Sequence, residues 1–89
     1  METFVCKWIV RVRDGSNSES YIKEISIPVY PFIGMRVSEA DWGLTLVAEC
    51  ITWLADSGVI QVESTLRAEG KDSLVEITSQ LFGFEWKKT

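Results

Sequence analysis

The sequence predicts an α+β domain, an antiparallel sheet of two β-hairpins with a C-terminal helix packed across one face. Three observations point there. Residues 3–13, TFVCKWIVRVR, alternate between two sets of side chains, the mark of a strand with one buried face. A second alternating stretch, VIQVESTL, follows the Gly-containing turn ADSG. The tail, GKDSLVEITSQLFGFEW, has helical spacing. The 89 residues form one domain by length. A domain of that size buries only about 60–65% of its unfolded surface. Four Trp, four Phe and two Tyr therefore carry much of a thin core.

In the first strand Phe4, Cys6, Trp8, Val10 and Val12 share the buried face, and Val5, Lys7, Ile9, Arg11 and Arg13 the other. DGSNSES reads as a long loop, because Asp, Gly, Asn and Ser tolerate turn geometry. YIKEISIPVY alternates again, with Tyr21, Ile25, Ile27 and Val29 on one side. A register of Trp8 opposite Ile27 would set Arg11 opposite Glu24, a favourable pair. Pro28 and Pro31 cannot donate to a ladder, so this strand is an edge or ends there. Gly34 can turn where other residues cannot, and SEADWG is a polar loop around Trp42.

Residues 44–56 admit two conformations. As a helix, Thr45, Glu49, Thr52 and Asp56 form one polar stripe. The remaining arc is apolar over more than half the circumference and would need burial on nearly all sides. A chain of 89 residues has little protein to supply that. As a strand, the segment is rich in Val, Ile, Thr, Trp and Cys and meets a turn at Gly58. Pairing Trp53 with Ile60 and Ile51 with Val62 builds one apolar face that includes Val47 and Leu66. The hairpin is favoured. The alternative is a β-β-α-β-β-α order with 41–56 helical, and a small partly closed barrel is the third arrangement.

The string Ile27-Pro-Val-Tyr-Pro-Phe-Ile-Gly-Met-Arg-Val37, followed by Ile51-Thr-Trp53 and a Gly-containing turn, resembles small uncharacterised bacterial proteins. In these a P-x-x-P-F-x-G segment precedes a Trp-bearing hairpin and a short C-terminal helix. The likeness covers about residues 25–86, implies the hairpin and carries no function. In the tail, Ser73 and Glu76 stand at capping-box spacing. Leu74, Val75, Ile77, Leu81 and Phe82 share a face, and Glu76, Ser79 and Gln80 the opposite one. Gly83 marks the helix end, Phe84 can pack on the last turn, and Trp86 tucks against the sheet.

The composition removes several chemistries. There is no histidine, the commonest general base and zinc ligand. Cys6 and Cys50 are too far apart in sequence for a zinc knuckle, and a disulfide between them is disfavoured in a chain expected to stay in the cytoplasm. No apolar run approaches the roughly 20 residues of a membrane span, and METFVCKW does not read as a signal peptide. No glycine spacing suits a phosphate loop. Neither a metal nor a cofactor is expected. Cys50 is expected beneath the C-terminal helix, a partly exposed thiol being the second reading. Glu39 and Asp41 in one loop, and Glu49 with Glu63 across the second hairpin, are the only candidates for carboxylate catalysis. Solvated surface acids are the plainer account of all four, so the chain is expected not to be an enzyme.

The net charge of −4 lies entirely in residues 32–70, where Arg36 and Arg67 face six acids. That disfavours nucleic acid. Lys7, Arg11 and Arg13 form the one basic stripe, which edge protection explains at least as well. Tyr30, Phe32, Ile33, Met35 and Trp42 crowd a short proline-flanked region. Such residues are enriched at interfaces, although closing a thin core is the plainer role. The leading expectation is a protein-interaction module, with a protein partner or self-association as a homodimer. The alternative is an acidic inhibitor or immunity-type protein that covers the basic site of a partner.

Overall fold

The structure is a computed structural model that describes residues 3–15, 17–38 and 44–89. Its elements are β1 (Phe4–Asp14), β2 (Asn17–Ile27), β3 (Arg36–Val37), β4 (Leu46–Val47), β5 (Cys50–Leu54), β6 (Val59–Arg67), α1 (Lys71–Gly83) and β7 (Lys87–Lys88). Five strands form one sheet in the order β5-β6-β1-β2-β7, and β3 and β4 form a small second ladder. The α+β class is as the sequence predicts. The sheet, however, is mixed rather than antiparallel. Two antiparallel hairpins are joined side by side through β1 and β6, which run parallel. Each hairpin explains its own sequence, but the seam between them is a tertiary choice.

Every second residue of β1 points into the core, and Cys6, Trp8, Val10 and Val12 are all fully buried. As the middle strand, β1 receives cover from both neighbours and from above. Tyr21 and Ile27 of β2, with Ile60 and Val62 of β6, extend the same face. Ile77 and Leu81 of α1, Trp86 beyond it, and Leu46 and Ala48 close the core. The opposite sheet face, with Val5, Lys7, Arg11 and Arg13 exposed, has no layer over it among the described residues.

The first hairpin turns more tightly than expected. Asp14 pairs with Asn17 and Trp8 with Lys23, so Trp8 does not face Ile27 and Arg11 faces Ser20, not Glu24. Only residues 15 and 16 join the strands, and Gly15 at φ 61° suits such a connection. Loop length fixes hairpin register. The correction is a slide of four residues. An even slide keeps every side chain on its face, so alternation alone could not detect it. β2 ends at Ile27, immediately before Pro28, as proline requires.

The second hairpin has the expected register, Trp53 with Ile60 and Ile51 with Val62, and Gly58 takes φ 70° in its turn. No helix forms over residues 44–56. The strand does not continue backwards, though. Cys50 pairs with Glu63 while the Glu49 N–H also donates to the Glu63 carbonyl at 2.9 Å. Two residues opposite one is the pattern of a β-bulge, which re-aims the chain. Before it, β4 leaves the sheet to pair with β3. Leu46 and Ala48 therefore turn inward, while Val47 is exposed rather than part of the expected apolar face.

Ser64 ties this flap to the sheet. The Trp8 Nε1–H donates to Ser64 Oγ at 2.8 Å, and the Ser64 hydroxyl donates to the Val47 carbonyl at 2.5 Å. Helix α1 begins directly after Gly70 with no side-chain cap. Ser73 lies inside it, so the expected capping box is not used. Leu74, Ile77 and Leu81 face the sheet, whereas Val75 and Phe82 are exposed. The apolar stripe is thus narrower than its sequence. At the C-terminal end the Glu85 N–H donates to the Phe82 carbonyl and the Trp86 N–H to the Leu81 carbonyl, with Glu85 at φ 68°. These are the bonds of a Schellman motif. Lys23 Nζ donates to the Phe84 carbonyl at 2.7 Å and holds this end against β2.

Candidate functional site

The exposed apolar side chains are unevenly placed. The described residues include ten large exposed hydrophobics. Register places Val5, Trp53 and Leu54 at the end of the sheet where β1 starts, Trp53 on the core-side face and Val5 and Leu54 on the other, and four more follow the exit of β2 at that end. Phe4 pairs with Ile27, so β2 delivers Val29, Tyr30, Phe32 and Ile33 just past this end. Cys6 pairs with Ile60, which sets Val59 beside Val5, and Leu54 pairs with Val59. Val5, Trp53 and Leu54 complete the group. Trp53 is 64% exposed and Ile33 62%. The Tyr30 ring stands edge-on to Phe4 with centroids 5.6 Å apart, which ties the loop to the sheet.

The residues singled out from sequence divide accordingly. Tyr30, Phe32 and Ile33 are exposed together, and Met35 turns partly inward against the core. Met35 also closes the flap, its N–H donating to the Phe32 carbonyl and its carbonyl accepting from the Ala48 N–H. Trp42, like Glu39 and Asp41, lies outside the described residues. Sequence reasoning missed Val29 and Trp53, which it assigned to core faces. Pro28 is the signal for Val29, because a strand that stops there cannot carry the next residue. Trp53 lies one residue before the end of β5, an edge strand, which leaves its large ring uncovered.

Charged pairs run along the outer face, with the arginines of β1 and β6 towards the other end. Lys7 faces Glu24 across the ladder, and Arg11 pairs with Glu63 at 3.0 Å. The Glu49 carboxylate accepts the Thr65 backbone N–H. Glu49 and Glu63 therefore do not face each other as an acid–base pair. The basic stripe is likewise partly neutralised, leaving Arg13 next to Arg67, its register partner on β6.

Two further groups bear on chemistry. Cys6 is in the core and Cys50 is exposed on the opposite face, so Cys50 does not pack beneath α1. Burial holds the Cys6 thiol above its ordinary pKa. The Tyr21 hydroxyl donates to Glu19 Oε2 at 2.8 Å, and Lys88 Nζ to Glu19 Oε1 at 3.2 Å. Burial, and secondly the Glu19 carboxylate, push the Tyr21 phenol up to about 12. The bonds from Tyr21 and then Lys88 hold the Glu19 carboxyl below its ordinary value. This triad anchors β7 to β2 and has a structural purpose. Among the described residues no cluster of His, Cys, Asp and Glu is placed to hold a metal ion, and no helix is long and apolar enough to cross a membrane.

The site so defined is an apolar surface at the end of an α+β sheet. No protein-family model, curated protein or solved structure matches the chain.

Proposed function

We propose that the chain is a non-enzymatic protein-interaction module that docks through the apolar end of its sheet, with a second copy of itself as the occupant. The observation that carries this is the gathering of seven of ten exposed large hydrophobics at that end. Scattered apolar residues are normal on any surface, whereas grouped ones mark interaction sites, and Tyr30, Phe32 and Ile33 lie within four consecutive positions and are all more than half exposed. Aromatic side chains, here Tyr30, Phe32 and Trp53, are the usual anchors of such contacts. Edge strand β5 adjoins the patch and carries no charged residue from Cys50 to Leu54. Edges that must stay solitary are usually guarded by charge or proline.

The acidic-inhibitor reading receives less support. Of the four described acids in the middle segment, Glu63 is engaged by Arg11 and Glu49 by the Thr65 N–H, which takes two of them away from a basic partner.

Light scattering of the purified chain across a range of concentrations tests the proposal. The expected result is a dimer that dissociates on dilution, and a monomer for a Phe32→Glu, Ile33→Glu double variant whose circular dichroism is unchanged. A wild-type chain that stays monomeric at high concentration, or a double variant that dimerises equally well, overturns it.

A further inference from the structure

At the end of the sheet opposite the apolar surface, the geometry points to a binding site for a phosphate dianion, held between Arg13 and Arg67. The two arginines are register partners on the parallel strands β1 and β6. Neighbouring strands lie only about 5 Å apart, and like charges set directly opposite one another are destabilising. The strand ends are fastened at this point, since the Ala68 N–H donates to the Arg13 carbonyl at 2.7 Å. The arginines therefore cannot separate by fraying without losing that bond.

Acids are plentiful in this chain, which carries thirteen against nine bases. None of them is paired with Arg13 or Arg67 among the described residues. Glu49, which lines a cleft with them, accepts from the Thr65 backbone, and Glu63 on the same face of β6 bonds Arg11. Two clefts flank the pair. One, of about 460 Å³, is lined by Arg13, Glu49, Thr65 and Arg67, and the other, of about 260 Å³, by Arg13, Gly15, Arg67 and Ala68. Both are open to solvent, and both are bounded by the same two arginines.

The chemistry selects the ligand class. A guanidinium fork binds two oxygens of a carboxylate or phosphate side by side. A carboxylate has only two oxygens and one charge, which one arginine satisfies. A phosphate dianion has the charge for both arginines and enough oxygens to bridge two forks, with the Thr65 hydroxyl beside them. Glu49 sets a limit on the other side. A carboxylate in the larger cleft repels an extended polyanion, so the site suits a single phosphate group, free or as a small monoester, and not a nucleic-acid backbone.

The test is a titration of the full chain followed by amide NMR, with inorganic phosphate and with phenyl phosphate as probes. Sodium chloride at matched ionic strength is the control. The expected result is saturable shifts confined to residues around 13–15 and 65–68, absent with chloride. Arg13→Gln and Arg67→Gln should each weaken binding about 10-fold or more, as loss of a charge-assisted bidentate contact implies. Tighter binding of phenyl phosphate than of phosphate assigns the site to monoesters, and the reverse order assigns it to the free ion. Arg67→Gln should also fold at least as stably as the wild type without phosphate, because it removes the like-charge contact. Shifts that follow ionic strength alone, or that survive both substitutions, overturn the proposal.

Discussion

Cys6 and Cys50 show how much a single position on a pleat decides. Both sit in strands, yet Cys6 points into the core and Cys50 into solvent on the far face. A disulfide between them would require the sheet to come apart. Under native conditions a chromogenic thiol reagent should therefore titrate one group, and the second only in denaturant. Cys50→Ser should abolish the native signal, and two fast thiols in the folded wild type would contradict the placement. Tyr21 gives a second residue-scale expectation. Its phenol is raised to about 12 in the fold, above the ordinary value of roughly 10. The protonated form is the one that the fold favours, so its contribution to stability is complete below the unfolded value. It is lost as pH rises through about 12. Phenolate absorbance should show a high step that Tyr21→Phe removes. The Lys88 end of this network was not visible from spacing, because Glu19 and Lys88 are 69 residues apart.

At the scale of elements, the ends and junctions carry the tension. Glu85 occupies the left-handed position of the helix terminus, at φ 68°, where glycine is favoured. Glu85→Gly should raise stability by about 0.5–1 kcal/mol, read from chemical denaturation, since the steric cost of that conformation exceeds the added freedom of the unfolded chain. Gly83 is the nearest glycine, and it drew the sequence-based helix end to the correct residue although the special conformation falls two residues later. Ser64 joins three elements through its hydroxyl. Ser64→Ala strands the Trp8 indole N–H and the Val47 carbonyl, and should cost about 1–3 kcal/mol. Full stability in that variant would show that the flap needs no such tie. β7 depends on Glu19, whose carboxyl is held below its ordinary pKa by Tyr21 and Lys88. That contribution is present above the unfolded pKa and lost as pH falls through the lower folded one. The Thr89 amide, bonded to the Ser20 carbonyl at 2.9 Å, should report the release of β7 in acid by NMR. Glu19→Gln should remove the pH dependence of that release.

Across the whole molecule the sheet is polarised, apolar where β1 begins and rich in arginine where it ends. The two ends should respond to salt in opposite ways. Contact between apolar ends is not screened, so the solution mass should hold or rise as ionic strength increases, while phosphate binding between Arg13 and Arg67 should weaken. A mass that falls with salt would move the interface to the acidic middle segment. Alternation by itself indicated β1, β2 and β6 with their buried faces, and favoured the second hairpin in the register it has. Each of these depends on contacts between residues close in sequence, and Gly58 closes that turn at a fixed length. The helix was legible in the same way, apart from Val75 and Phe82, which periodicity placed on the buried face. Only the tertiary structure decided the slide in the first hairpin, the bulge at Glu49 and Cys50, and the parallel union of β1 with β6. The physical reason is that face patterns are unchanged by an even slide and are silent about which strand lies beside which. Three of the seven residues of the candidate surface, Tyr30, Phe32 and Ile33, could be found locally because prolines set those residues apart. Trp53 joined them, and Arg13 met Arg67, only when distant strands came to lie side by side.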